Sequence, residues 1–480
     1  MSDTKIMTEI KRGPITATLI IGAFVAILNE TFLNIALSGL IQYFHVPATT
    51  VQWLTTAYLL VIGILMPITA LITGWFTTRQ MFLGAMGLFL AGTILCGFSP
   101  SFSFLLIGRI IQAIGAGLLM PVMMNTILLI YPPEKRGAAM GLIGLVIMFA
   151  PALGPTLSGL ILSALSWRWL FYLIIPLAIF AIIIGTHYLQ NVSELTKPKV
   201  EIRSILLSSI GFGGIVYGMG SGVTGGWISL LILVIGVLSL IGFVWLQLVL
   251  KQPILNLRAF RYRMFALSTI LLILVMMVLF STMILLPLYL QRVLLLSSFG
   301  AGMLLLPGGL INGLLSPVMG KLFDKWGSVW LVTPGLILVT AVIGLFAGLT
   351  PSANVVYVAA LYTVMMVGLA MVMMPVTTTG LNQLPKALYP HGTAIMNTLQ
   401  QVSGGIGTAV FIGIMAGGQK AYLQQETSPN TKAAQMLALT HGMSIAFLCA
   451  LILTVVALLL SLLLRKKAAP EEAGEERTGS

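Results

Sequence analysis

Apolar stretches of about twenty residues, broken by short polar segments, recur along the whole chain. They predict helices at approximately 15–37, 51–73, 81–99, 102–124, 138–162, 168–188 and 204–222. The second set falls at approximately 228–250, 264–288, 299–320, 330–350, 354–378, 394–416 and 441–464. Length and apolarity carry this assignment, because a helix surrounded by lipid need not be amphipathic. A span takes about 20 apolar residues, whereas a barrel strand takes only about 9–11. Lipid leaves only helices and closed barrels able to satisfy every backbone group, and runs this long exclude the barrel. The pattern therefore predicts an all-α integral membrane protein with fourteen transmembrane helices. The spans group as six, two and six: a bundle over 1–190, an inserted pair with basic linkers over 191–262, and a second bundle over 263–465. A disordered cytoplasmic tail, acidic from Glu471, is expected over 466–480.

Composition agrees with a chain that faces lipid. Charged residues make up 8% of the sequence and hydrophobic residues 58%, where a soluble domain carries roughly 25% charged. The net charge of +13 comes from small basic clusters between apolar runs. It forms no stripe interleaved with aromatics, which excludes a nucleic-acid partner. With the N-terminus in the cytoplasm, twenty Lys and Arg fall on that side and four, Arg168, Arg292, Lys420 and Lys432, on the other. This positive-inside bias puts both termini in the cytoplasm of a bacterial cell. The run from Ile15 lacks a small-residue cleavage site and reads as the first span rather than a leader. Cys96 and Cys449 sit within apolar runs, so neither a disulfide framework nor a metal site is expected, and no cofactor is implied. The longest external loop, Gly417 to Thr440, has no nucleophile–base constellation, and no enzyme activity is expected. No phosphate-binding G-x-x-x-x-G-K-[ST] segment is present.

An ionisable side chain inside a span costs about 2.5–3.5 kcal/mol on insertion scales, so it marks function by default. Glu30 is the one acid within any predicted span, and Arg109 the one base well inside. Glu30 lies seven positions before Leu37 and Arg109 seven after Phe102, which puts both about 10 Å below the outer surface. They can pair directly or through water. Either the pair only fixes helix packing, or Glu30 exchanges a proton; burial and a nearby guanidinium act on a carboxyl in opposite directions. Asn29, Thr31 and Asn34 surround Glu30 and suggest a water-accessible cavity. Methionines cluster at Met120, Met123 and Met124, and at Met276, Met277 and Met283. Such flexible side chains suit a promiscuous pocket and ordinary lipid-facing packing equally well.

Several motifs carry a family resemblance. Span 4 reads Gly108-Arg109-Ile110-Ile111-Gln112, followed by Gly115. Span 5 reads Ala150-Pro151-Ala152-Leu153-Gly154-Pro155-Thr156-Leu157-Ser158-Gly159. Trp53 to Tyr58 and Trp167 to Phe171 form aromatic signatures. After span 10 comes Gly320-Lys321-Leu322-Phe323-Asp324-Lys325-Trp326-Gly327; the equivalent place after span 2, Gly74 to Gln80, keeps a glycine and Arg79 but has no aspartate. Over essentially its whole length the chain resembles the major facilitator superfamily, in particular its fourteen-spanner drug:proton antiporters. Within them it is most similar to the lincomycin-resistance exporters of Gram-positive bacteria. The resemblance implies two six-helix halves plus two inserted helices, proton transfer involving Arg109, and a bend at Gly154, Pro155 and Gly159 used in switching between access states. It also implies a cytoplasmic gate around Gly320, Asp324 and Gly327, with Asp324 near a helix N-terminus among basic neighbours. The missing aspartate beside Arg79 argues against a symmetric gate. In span 1 relatives read Leu-Asp-x-Thr where this chain has Leu28-Asn29-Glu30-Thr31, and in span 13 Gln400 stands where many have arginine.

The expected function is proton-coupled export of amphipathic, drug-like or lincosamide-type molecules by alternating access. Glu30 and Arg109 couple protons; Asn29, Asn34, Gln112, Met120, Met124, Met276, Asn397 and Gln400 line the substrate cavity. Substrates, protons and membrane lipids are the partners of a monomer. A single-metabolite or lipid-like exporter of the same fold, or a non-transporting membrane sensor, are the alternatives.

Overall fold

The computed structural model describes residues 12–46, 48–192, 195, 201–220, 226–250, 253–426 and 431–464. Six helices come first: α1 (Arg12–Phe44), α2 (Ala48–Trp75), α3 (Thr78–Gly97), α4 (Phe102–Ile130), α5 (Arg136–Ala164) and α6 (Ile174–Tyr188). A single turn, Trp169–Tyr172, precedes α6. A pair, α7 (Ile202–Gly220) and α8 (Gly226–Val249), follows. The remaining six are α9 (Arg263–Arg292), α10 (Ser298–Trp326), α11 (Val329–Ala347), α12 (Val355–Asn382), α13 (Tyr389–Gln425) and α14 (Lys432–Ser461). Among the described residues thirteen helices are long and apolar enough to cross a membrane, one fewer than the fourteen expected; α7 carries only a shorter apolar stretch, Ile202–Ile215. No strand occurs among the described residues. The tail expected at 466–480 lies outside them.

Side-chain caps set several helix starts: Ser101 before α4, Ser297 before α10, Asn354 before α12 and Thr431 before α14. Thr77 and Gln80 form a reciprocal capping box that begins α3. The helix ends correct the hydropathy boundaries. α13 has 37 residues, about 55 Å of rise against a hydrocarbon core of about 30 Å. Much of 417–440, expected as a loop, is therefore helix reaching beyond the apolar zone. The segment from Gly320 to Trp326, also expected as a loop, forms the last turns of α10. Gly327 ends that helix at φ 83°, where a side chain would be strained.

With little hydrophobic drive between helices in lipid, close approach depends on small residues. A Cβ on Gly115 of α4 would fall 2.3 Å from the Ala85 carbonyl oxygen of α3. One on Gly214 of α7 would fall 2.8 Å from Gly236 Cα of α8, so the Gly214–Gly218 ridge packs the inserted pair together. Gly222, the next member expected on that ridge, lies outside the described residues. Most of α8 faces outward, with Trp227, Leu238 and Trp245 all highly exposed.

Candidate functional site

Arg109 sits on α4 with no exposed surface. The α3–α4 contact fixes its level, since a Cβ on Gly108 would meet Cys96 Sγ at 2.7 Å. Its Nη1 donates to Gln112 Oε1 at 2.7 Å and to Asn29 Oδ1 on α1 at 3.1 Å. Its Nε makes a long bond, 3.5 Å, to the Leu54 carbonyl of α2. The guanidinium stacks on Tyr58, 4.0 Å from the ring centroid. Gln112 passes the network on by donating Nε2 to Thr93 Oγ1 on α3 at 2.8 Å. Two buried atoms here have no hydrogen-bond partner, Arg109 Nη2 and the Tyr58 hydroxyl.

Glu30 is next to Asn29 on α1, within electrostatic reach of Arg109. It lies deep in the bundle and is only partly accessible. The direct partner of Arg109 on α1 is Asn29 rather than Glu30. Helix α5 grips α1 at the adjoining residues: a Cβ on Gly154 would fall 2.0 Å from Thr31 Oγ1, and Ser158 Oγ donates to the Phe32 carbonyl at 2.9 Å.

The other end of α5 meets the second bundle at the end of the molecule that carries Arg12, Arg136, Lys325 and Lys386, here termed the basic end. Asp324 accepts from the backbone N–H groups of Gly137 at 2.7 Å and Ala138 at 2.8 Å. These are orphan donors of the first turn of α5, where the helix dipole favours an anion. A Cβ on Gly320 would fall 2.0 Å from the Gly137 carbonyl oxygen, so the two backbones touch. Arg136, 4% exposed, donates Nη1 to Asn382 of α12 at 2.9 Å, Nη2 to the Leu128 carbonyl at 2.6 Å and Nε to the Tyr131 carbonyl at 3.0 Å. It also stacks against Tyr389 of α13.

The remaining sequence candidates are spread more widely. Arg79 donates to the Thr186 carbonyl at 2.7 Å, within the first bundle. Gly159 has open space around its Cα, unlike Gly154. Met124 and Met276 are buried, whereas Met120 and Gln400 are half-buried. Asn397 on α13 is buried with Nδ2 unpartnered. Nothing is described of the side chains of Asn34 and Pro155. Sequence reasoning missed Tyr58 and Thr93 as parts of the arginine network and Arg136 with Asn382 as a contact between bundles. It also missed Asn125 of α4, buried with Oδ1 unpartnered. Arg136 had a signal, a basic residue against a run of small ones, but entered only as a topology charge.

Comparison with known proteins agrees with this architecture. The family model of the Major Facilitator Superfamily matches residues 19–408. The chain is 50% identical over 461 residues to the lincomycin resistance protein LmrB of Bacillus subtilis (strain 168), covering 95% of this chain and 96% of that one. It is 51% identical over 462 residues to the lincomycin resistance protein LmrB of Listeria monocytogenes serovar 1/2a, covering 95% and 98%. The crystal structure of the human organic anion transporter MFSD10 (TETRAN) shares the fold at a TM-score of 0.65 and 13% identity, over 93% of this chain and 99% of that one. On fold, family match and near relatives alike, the chain belongs to the Major Facilitator Superfamily.

Proposed function

We propose that this protein is a proton-coupled exporter of amphipathic, drug-like compounds in the bacterial cell membrane, with lincosamides among the substrates to test first. The carrying observation is a buried carboxyl, Glu30, within electrostatic reach of a guanidinium whose Nη2 is unpartnered. A deprotonated Glu30 would find that donor, and a protonated one would release it. Proton exchange thus changes which helices the Arg109 network ties together. The relatives named for lincomycin resistance support the same reading.

The basic end faces the cytoplasm in this proposal, as the positive-inside bias requires. The Asp324 and Arg136 contacts then close the cytoplasmic side, and Glu30 is reached from outside. Protonation of Glu30, passage of the carboxyl inward and release of its proton would accompany outward movement of substrate. The protein works as a monomer. One charge crossing 100 mV supplies about 2.3 kcal/mol, enough for a substrate ratio of more than tenfold.

The experiment is transport in proteoliposomes under an imposed proton gradient, with lincosamides and cationic dyes as substrates. Glu30→Gln is expected to reduce the sustained ratio from more than tenfold to about unity while substrate binding persists. Unchanged proton-driven transport in Glu30→Gln would remove Glu30 from the mechanism.

A further inference from the structure

The segment entering α9 folds back against α8 at the basic end as a short 3-10 turn, Leu257–Arg261. Its entry is fixed, because Asn256 Oδ1 accepts from the Arg258 N–H at 3.1 Å. Gln247 of α8, only 3% exposed, ties three segments together. Its Nε2 donates to Ser204 Oγ of α7 at 2.8 Å, and its Oε1 accepts from the Leu255 N–H at 3.1 Å. Between turn and helix lies a cavity of about 360 Å³ lined by Gln247, Leu248, Leu257, Arg258, Phe260 and Arg261. Among the described residues no acid lines it. The proposed proton coupling at Glu30 and the contacts between bundles leave this place unused.

Two features identify the ligand chemistry. Arg258 and Arg261 are exposed guanidiniums three residues apart on a rigid turn, and guanidinium matches phosphate oxygens in fork geometry. The wall beside them is lipid-facing: Trp245, Leu248 and Val249 are 65%, 61% and 62% exposed near the last turn of α8. Cations at the rim of a span with an apolar wall running toward the hydrocarbon match a molecule with an anionic head and apolar tails. Free phosphate would satisfy the cations and leave the wall unused.

We propose that this cavity holds the phosphate of an anionic phospholipid, with its acyl chains lying along α8 beside Trp245 and Leu248. The lipid would fasten the inserted helices α7 and α8 to the turn leading into α9. The site depends on α8 spanning the bilayer and not on proton coupling, so it stands or falls apart from Glu30.

The test uses the full chain in a neutral detergent with phosphatidylglycerol, phosphatidylcholine or inorganic phosphate as probes. It reads the thermal unfolding midpoint and the lipids retained in native mass spectrometry. Phosphatidylglycerol is expected to raise the midpoint saturably with one lipid retained, and neither other probe to do so. Arg258→Gln/Arg261→Gln should weaken this response by at least about tenfold, two surface cations being lost. Leu257→Trp, which fills the cavity and keeps both arginines, should weaken it too, and it carries the test where the double variant fails to fold. Lys386→Gln, a basic change at the same end outside the cavity, should leave the response intact. Stabilisation by inorganic phosphate alone, or equally by phosphatidylcholine, would overturn the lipid assignment. So would an equal loss in Lys386→Gln, which would make the effect diffuse surface charge.

Discussion

At the scale of single residues, the site turns on how many acceptors Arg109 has. A guanidinium carries five donors, and here Asn29, Gln112 and the Leu54 carbonyl accept while Tyr58 covers a face. Nη2 is left over, and Glu30 is the acid that interacts with Arg109 electrostatically. A second carboxylate beside the arginine should therefore compete with Glu30. Gln112→Glu is expected to fold, to hold Arg109 through a bond roughly twice as strong as the present amide contact, and to abolish the response of transport to a pH gradient. Proteoliposome flux at fixed substrate gradient, with and without a pH step, checks it; an unaltered pH response would count against the exchange. Removing the stacked ring in Tyr58→Leu is expected to lower stability by about 0.5–2 kcal/mol, read by thermal unfolding in detergent. Glu30, Arg109, Asn29 and Gln112 were legible as polar residues in apolar runs. Whether arginine and carboxylate touch was not, because a helical rise gives depth and not rotation. Thr93 was invisible for another reason. Threonines in lipid commonly bond their own helix, as Thr69, Thr282 and Thr377 do, so sequence gives no sign of one that also accepts from a neighbour.

At the scale of elements, α5 joins the two places that the proposed cycle would change. Near its middle Gly154 and Ser158 grip α1 beside Glu30, and at its start Gly137 and Ala138 are held by Asp324. Seventeen residues separate Gly137 from Gly154, about 25 Å of one continuous helix. In the proposed cycle a shift of α1 would reach the contact between bundles along this one helix, with Pro151 between the two points. Asp324→Asn would keep one acceptor and lose the charge and the second one. The expected effect is about 1–3 kcal/mol against the closed basic end, a shift of roughly 5–150-fold in the population. Spin labels at Lys135 and Lys325 should then show a longer distance component than in the parent, and an unchanged distribution would deny Asp324 that role. The motifs 150–159 and 320–327 were both readable from sequence. Their partners were not, because Asp324 meets the first turn of a helix from the other bundle, and no spacing within one segment reveals that. The helix ends were misplaced for a related reason: hydropathy marks where hydrocarbon ends, while helical hydrogen bonding in α10 and α13 continues past it.

For the molecule as a whole, the scarcity of charge would set the stoichiometry of the proposed proton coupling. The described acids are Glu30, Glu134, Glu201, Asp324 and Glu426, and of these Glu30 alone is deep in a bundle beside a buried cation. If Glu30 is the coupling group proposed above, one titrating carboxyl carries one proton per cycle. The net charge moved is then one proton inward less whatever charge the substrate takes outward. A neutral substrate leaves one charge crossing the membrane, worth about 2.3 kcal/mol at 100 mV, or about fiftyfold in concentration ratio. A monovalent cation leaves none, so the membrane potential gives it no drive and only the pH gradient remains. With a potential imposed by a potassium gradient and valinomycin at equal pH on both sides, neutral substrates should accumulate toward that ratio. Monovalent dyes should stay at their equilibrium distribution. A protein-dependent dye gradient that grows with the potential beyond that of protein-free vesicles would require a second proton, and therefore a second titrating group that cooperates with Glu30. The candidate would be Asp324, and Asp324→Asn in the same assay would then abolish the extra response.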